Sequence, residues 1–592
     1  MWMRSFVLTM AVLIPGSLVG AVEPAVQVWA VPSVQKVRPD DPVESDNLVW
    51  SSQSKTIAIA GARNEHVPVQ MVLSTPPPPT RYDPAAGGFF VKVSDLEGQG
   101  GKIPRDQIRL FLEHVVLCYA KSSPVGSTGF WPDALAPLTD PFDMQAEFRS
   151  FVKNRGVWID VRVPETAGAG KYVGWVEITQ NGRAIDQLSL HLTVYDFTLP
   201  RETHLITYMN ISRSWLARGY GIDRDSEEAT KLLRSYYQFL YANRMEPWFH
   251  ELLQPDIELE SGGDVRVKFD PALYRHYLDE LGTKRVILEV VPDELRQGEP
   301  DFSEKLTQRV RSYLQQVGDF FKKNQWTSRL VLNSPIDEPD TAQHYADTRR
   351  WAALVHESIP GVPFLATESP VPDRPEWGVL TGAVQNFSMH GNALNRPAVK
   401  AAIREEQAKG GEMTWYISCD QVFPQPNYFI DAPAMDPVMV PWITWRYRMN
   451  GILYWALNYW PQTPDPWLDP VTFLSGFLCS KGYVLNGEGS LLYPGHHVQR
   501  QTGQRNVEGP VSSIRFELLR EGIEDYEYLW LLKALGDAAF ADRAVEEMVV
   551  DVSSFSRNVE ELFAWRQKMA RRIEVLRKAS PSGAGNGNGS QK

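Results

Sequence analysis

Asp337 and Glu338 stand side by side in Asn333-Ser-Pro-Ile-Asp-Glu-Pro339, where an apolar run beginning at Arg329 ends. Two carboxylates with different tasks are what glycosidic bond cleavage needs. One must carry a proton to the leaving oxygen, while another stabilises positive charge at the sugar. Neighbouring residues can do this only if their surroundings separate their behaviour. Pro339 biases Glu338 away from the right-handed helical region, so both acids are expected to stay extended and point in separate directions. The competing reading makes Asp337 a helix cap and Glu338 a surface acid. Rings and amides stand at other strand-like ends: Trp415 and Tyr416, then Tyr454, Trp455, Asn458 and Trp460. Their density suits a sugar-sized pocket, with core packing as the alternative for each ring. Glu368, Asn386, His390, His250 and Glu251 could each bind a hydroxyl.

Other chemistries find little footing. His496-His497 and His250-Glu251 lack a third partner at metal spacing, and there is no G-x-S-x-G elbow or phosphate-cradling glycine loop, so no metal and no cofactor is implied. Glu521, Glu524, Asp525 and Glu527 cluster on one helical stretch and read as a solvated or capping face. With 60 Lys and Arg against 72 Asp and Glu, the net charge is −12 and no basic block stands out, which argues against a nucleic-acid partner.

The elements that must hold these groups follow from the pattern. The 592 residues, 43% of them hydrophobic and 22% charged, can bury a sizeable core in more than one unit. Arg4, the apolar run Phe6 to Ile14 and Val19-Gly20-Ala21 read as a secretory signal over residues 1–21, which implies a secreted or periplasmic protein. No Cys follows the apolar run to carry a lipid anchor, and no later stretch suffices for a membrane span. Burial is expected for all three cysteines, Cys118, Cys419 and Cys479. Residues 22–200 alternate as short strands, including Val67 to Leu73, Val157 to Val163 and Leu188 to Val194. Turns at Pro76 to Pro79 and Asn181-Gly182 separate such strands, so the segment reads as an all-β sandwich.

From residue 201 strand-like runs alternate with helical ones: Leu205–Ile211, Glu246–Leu252, Arg285–Val291, Arg329–Ile336, Pro363–Thr367, Ala383–Ser388, Glu412–Ser418 and Gly451–Asn458. Helices are expected over Ser226–Asn243, Ser303–Asn324, Ala342–Ser358 and Pro397–Lys409, and the count of eight strands fits a (β/α)8 TIM-type barrel spanning 201–535. In such a barrel the reactive groups sit at the strands' C-terminal ends, where Asp337 and Glu338 fall. Phe516, Leu519, Ile523, Tyr526 and Trp530 place one apolar face on a helix over Ser512–Leu535, with Gly522 weakening its continuity. A C-terminal helical segment, 536–579, and a disordered Ser/Gly/Asn tail, 580–592, complete the chain.

These residues resemble glycoside hydrolase family 123. The likeness lies in Ala62-Arg-Asn-Glu65 with Val69-Gln70, in Ala169-Gly-Lys-Tyr-Val-Gly174 with Asp196-Phe-Thr-Leu-Pro200, and in Asp337-Glu-Pro339. It continues through Gly451-Ile-Leu-Tyr-Trp455 with Asn458 and Trp460, Leu492-Tyr-Pro-Gly495, Gly509-Pro-Val-Ser-Ser-Ile-Arg515 and, most specifically, Leu519-Arg-Glu-Gly-Ile-Glu-Asp-Tyr-Glu-Tyr528. The resemblance implies a β-sandwich before a catalytic barrel and a retaining, substrate-assisted β-N-acetylgalactosaminidase acting on a glycan or glycoconjugate. Asp337 would then orient the substrate's 2-acetamido group and Glu338 would be general acid and base. Trp415, Tyr416, Trp455, Asn458 and Trp460 look like pocket residues, with Glu368 beside them, and the acidic helix like a signature that serves folding. Two alternatives stay open: a glycosidase of other specificity with a nucleophile such as Glu368, and a catalytically silent carbohydrate-binding protein.

Overall fold

The computed structural model describes residues 26–75, 87–144, 152–260, 264–421, 423–463 and 465–579. The expected signal at 1–21, the turn at Pro76–Pro79 and the tail at 580–592 lie outside them.

Two sheets form the N-terminal domain. One runs in the order Gln27–Pro32, His66–Ser74, Asn154–Arg162, Ile108–Cys118, Gly129–Pro137, with antiparallel neighbours throughout. The other is built around Arg183–Thr198 and Gly170–Gln180, with Thr56–Arg63 joined parallel to the former. Side chains alternate across a strand, so Val69, Met71, Val157 and Ile159 from the first sheet meet Ile57, Ile59, Leu190 and Leu192 from the second in a shared apolar core. This is the expected sandwich.

The second domain carries one parallel sheet of seven strands: β1 (Ile206–Met209), β2 (Val286–Glu289), β3 (Leu330–Asn333), β4 (Phe364–Ala366), β5 (Asn386–His390), β6 (Met413–Ile417) and β7 (Gly451–Tyr454). Their lateral order is β1-β7-β6-β5-β4-β3-β2. Ile206, Tyr208, Ile287, Val331, Leu365, Tyr416 and Leu453 gather on the concave side, and Val286, Leu330, Phe364, Phe387, Met413 and Ile452 join the core beneath the helices.

The eighth expected strand, Glu246–Leu252, is not one. It makes a single parallel bridge, Met209 to Pro247, then turns into a 3₁₀ segment at Glu251–Leu253. Pro247 has no N–H to give to a ladder. Toward β2 side chains span the gap, with Glu246 accepting from the Lys284 amide at 2.8 Å and Gln254 Nε2 donating to the Ile287 carbonyl at 3.0 Å. Trp248 nevertheless joins the concave-side cluster.

Helices form where expected because their ends are written locally. Ser226 caps Glu227–Ala242 by accepting from the Ala229 amide, Ser303 caps Glu304–Lys323, and Thr341 caps Ala342–Ser358. Ile514–Ala534 is continuous through Gly522. A Cβ at Gly522 would lie 2.4 Å from the Val438 carbonyl oxygen, so the glycine lets this helix cross closely over Met435–Arg446. The C-terminal segment is two helices, Ala538–Met548 and Val559–Ala579, separated by a small hairpin.

The acidic face of Ile514–Ala534 is not solvated, contrary to expectation: Glu521, Glu524, Asp525 and Glu527 are all buried. Each is met by a basic side chain from elsewhere, Arg566 for Glu521 and Asp525, Arg244 for Glu524 and the His204 ring for Glu527. Arg515 and Arg520, also buried on this helix, pair with Asp133 (2.6 Å) and Asp160 (3.4 Å) of the sandwich. Burying charge without partners is costly, which is why this helix joins the two domains instead of facing water. Of the cysteines only Cys118 is buried; Cys419 is half-buried and Cys479 exposed, and all three are free.

Candidate active site

Asp337 and Glu338 occupy an exposed bend between β3 and the helix Ala342–Ser358, at the C-terminal end of the parallel sheet. Thr341, not Asp337, caps that helix, so the capping alternative for Asp337 falls away. Glu338 is not extended: its φ is +44°, in the left-handed region. The proline that follows excludes the right-handed helical conformation, and the chain turns through a strained one instead.

One hydroxyl holds the pair. Thr367, just beyond β4, donates from Oγ1 to Asp337 Oδ1 at 2.6 Å and accepts from the Glu338 backbone N–H at 3.0 Å. Tyr416, the concave-side ring of β6, donates its phenol to Glu338 Oε1. Burial and the neighbouring Glu338 carboxylate push the Tyr416 phenol well above its usual range, so it stays a proton-bearing donor.

A cavity of about 530 Å³ opens beside the bend, lined by Glu338, Thr367, Glu368, His390, Tyr416 and Asp420 among others; Asp337 stands at its edge, outside the lining. Such a volume suits one sugar ring and the start of its neighbour. Burial pushes the Glu368 carboxyl up to about 7; the Ser369 amide opposes this and the charge of Asp373 adds to it. Arg396, on the same wall, is engaged by Asp373 at 2.5 Å and by the carbonyls of Val371 and Pro372.

The other expected pocket residues divide. Trp415 follows the alternation of its strand onto the opposite face from Tyr416, where it is fully buried and donates to Thr444 Oγ1 at 2.8 Å. Two adjacent strand residues cannot both face one pocket. Asn458 is fully buried with its amide closed on the Ser212 backbone, accepting at 3.0 Å and donating at 3.0 Å, which keeps it out of a sugar's reach. Trp460 is buried under Gly219, its indole donating to Ser490 Oγ and the Leu492 carbonyl, and borders a separate hollow. Trp455 stays half-buried, grouped with Trp215, Tyr459 and Phe473, and donates to Glu488 at 2.6 Å. It does not line the cavity over Glu338.

Asn386 lies at the opening of β5 and accepts from the Glu412 amide; His250 is buried against Tyr237 and Tyr277; Glu251 accepts from the Arg213 amide. These three are structural. His390 does reach the cavity. Sequence reading missed Thr367 and Asp420, although both fall just past strand ends, where chemistry in such a sheet collects.

Residues 275–532 match the model of the glycoside hydrolase 123 catalytic domain, and residues 44–180 that of the glycoside hydrolase 123 N-terminal domain. The chain belongs to glycoside hydrolase family 123. Among solved structures, a family 123 glycoside hydrolase from Clostridium perfringens, studied for glycolipid glycan hydrolysis, superposes with a TM-score of 0.67 at 14% identity, over 94% of this chain and 98% of that one. The family 123 fold is thus shared along nearly the whole length. A family 39 glycoside hydrolase from Bacteroides cellulosilyticus WH2 reaches only 0.31 at 11% identity, over 75% and 82% of the two chains, too little to bear on the site. No curated protein matches the chain in sequence. Family membership makes the protein a glycoside hydrolase with a glycan substrate. Among the described residues no helix is long and apolar enough to cross a membrane.

Proposed function

We propose that this family 123 enzyme is a retaining β-N-acetylhexosaminidase, with GalNAc as the preferred sugar, that uses its substrate's own acetamido oxygen as nucleophile. The observation that carries the reading is the adjacency of Asp337 and Glu338 on one bend, tied together through Thr367. Adjacent residues are poorly placed to flank a glycosidic bond from opposite sides, as a nucleophile and an acid must when the enzyme attacks the sugar itself. They suit a division in which one carboxylate reaches the acetamido group and the other the leaving oxygen.

In this mechanism Asp337 accepts the acetamido N–H, turning its carbonyl oxygen toward the anomeric carbon. That oxygen attacks as the glycosidic bond breaks, and Glu338 gives its proton to the departing oxygen. The resulting oxazolinium keeps its N–H and its positive charge, which the Asp337 carboxylate stabilises. Glu338, now a carboxylate, takes a proton from the water that opens the ring, and two inversions leave the configuration retained. Tyr416 and Thr367 position the two acids throughout. In this reading the curled sheet is a (β/α)8 barrel whose second strand has shrunk to the Pro247 bridge, and the leader at 1–21 directs export.

The test is hydrolysis of aryl β-glycosides of GalNAc, GlcNAc, galactose and glucose by wild type and Asp337→Asn. Turnover is expected for the 2-acetamido sugars alone, falling by roughly 10²- to 10⁴-fold in the variant with folding intact. Turnover of galactose or glucose would demand an enzyme nucleophile such as Glu368. A carboxyl that stays protonated up to about 7 is ill suited to that task.

A further inference from the structure

Asp420 lies on the cavity wall facing the catalytic bend, and the mechanism above gives it nothing to do. Its carboxylate is nevertheless fixed with care. Oδ1 accepts from Ser418 Oγ at 2.8 Å and from His390 Nε2 at 2.8 Å, and Oδ2 accepts from Asn392 Nδ2 at 3.3 Å. The backbone N–H of Asn392 donates to His390 Nδ1 at 3.2 Å, so the ring proton is on Nε2, the nitrogen aimed at Asp420. His390 also stands edge-on to Tyr416, with centroids 5.1 Å apart, and Tyr416 holds Glu338.

The loop itself is locked to its neighbour. Gln421 accepts from the Ser418 amide at 2.9 Å, and a Cβ at Gly391 would come within 2.0 Å of Gln421 Nε2, so the turn after β5 and the loop after β6 close against each other. Burial would raise the Asp420 carboxyl, but the hydrogen bonds from His390 and Ser418 outweigh it and hold the group below its usual range, ionised at neutral pH.

With three donors already engaged, the Asp420 side chain remains 42% exposed, with acceptor capacity left. The arginine that lines the cavity, Arg396, is taken up by Asp373 and two carbonyls. The cavity is therefore lined with acids: Glu338, Asp340, Glu368, Asp373 and Asp420. A fixed, ionised acceptor selects for hydroxyl donors and against anionic substituents placed beside it. We propose that Asp420 is the specificity-determining residue that reads the sugar's hydroxyl pattern, accepting from a ring or exocyclic hydroxyl of a neutral glycan that carries no sulfate, phosphate or carboxylate at that edge. This deepens the N-acetylhexosaminidase reading and rests on it for the identity of the sugar.

The experiment compares wild type, Asp420→Asn and Ser418→Ala on aryl β-GalNAc and on its 3-, 4- and 6-deoxy analogues. Titration calorimetry with GalNAc and the same deoxy sugars runs in parallel. Asp420→Asn is expected to lower kcat/KM for the parent roughly 10- to 100-fold, and for one deoxy analogue to match wild type within about twofold. Ser418→Ala, which loosens the carboxylate without removing it, is expected to show a smaller loss with the same hydroxyl dependence, and it reports even if Asp420→Asn fails to fold. Equal losses on the parent and all three analogues would overturn the proposal while leaving the catalytic reading intact. A wild type that turns over no glycoside but binds GalNAc in an Asp420-dependent way would overturn the catalytic reading alone. Neither turnover nor binding would overturn both.

Discussion

Replacing Thr367 with Val removes one oxygen from the molecule and, with it, both bonds by which Thr367 holds the bend that carries the proposed catalytic acids. The two side chains have nearly the same shape, so the substitution leaves the packing behind β4 filled, while the hydroxyl contacts at 2.6 Å to Asp337 and 3.0 Å to the Glu338 amide disappear. A hydrogen bond to a charged group is worth about 1.5–3 kcal/mol and a neutral one about 0.5–1.5 kcal/mol. The Glu338 backbone at φ +44° also stores strain that only its surroundings restrain. If about 2–4 kcal/mol of positioning is lost in the transition state, kcat falls roughly 30- to 1000-fold.

The bend is exposed, so little of that loss should reach global stability. The assay is steady-state hydrolysis of aryl β-GalNAc by wild type, Thr367→Val and Thr367→Ser, with melting temperature measured alongside. Serine keeps the oxygen and should recover most of the rate. Val and Ser behaving alike, or Val within threefold of wild type with an unchanged melting temperature, would refute the claim that this hydroxyl organises the site.

Three further outcomes are expected. Glu338→Gln should lose less activity on substrates with good leaving groups, because proton donation then matters less, so the slope of log kcat against leaving-group pKa should steepen. Glu113 is buried with neither carboxyl oxygen partnered, and burial pushes it up to about 8 although Arg155 opposes this. Between pH 4.5 and 8 the folded chain therefore holds a proton that the unfolded chain releases, and stability attributable to Glu113 falls as pH rises through that window, by about 3–5 kcal/mol in all. Glu113→Gln should accordingly gain on wild type in urea midpoint between pH 5 and 8.5, and a constant difference would contradict this. Gly522→Ala should destabilise by about 1–3 kcal/mol in denaturant titrations, since its new methyl meets the Val438 carbonyl.

The strands and helices were legible where the code is local. Ser226, Ser303 and Thr341 announce helix starts, and apolar runs such as Leu330-Val-Leu332 announce strands. The position of Asp337 and Glu338, the proposed catalytic pair, was legible because a strand's end places it. Side-chain direction was less so: a run reading Trp415-Tyr416 states that the two rings diverge, but which one faces the cavity depends on the register of β6 between β5 and β7. Asn458 and Trp460 looked like ligands because amides and indoles serve both purposes, and their partners, Ser212 and Leu492, are supplied by packing. The acidic helix misled for the same reason, since Arg244, Arg566 and His204 are remote in sequence from the carboxylates they meet. Asp420 needed only the rule that already found Asp337, applied three residues past β6.

The helix Ile514–Ala534 keeps the guanidinium groups of Arg515 and Arg520 dry by borrowing Asp133 and Asp160 from the sandwich. Stranding one member of such a pair costs about 3–5 kcal/mol, comparable to a whole domain's margin of stability. A gene shortened to the second domain would strand Arg515, whereas Arg520 would keep Glu517 of its own helix; one fused to a foreign sandwich would need an acid where Asp133 stands. The second domain therefore relies on the sandwich for the counter-charge of its most deeply buried cation, and exchanging one module would have to preserve that pairing with the other.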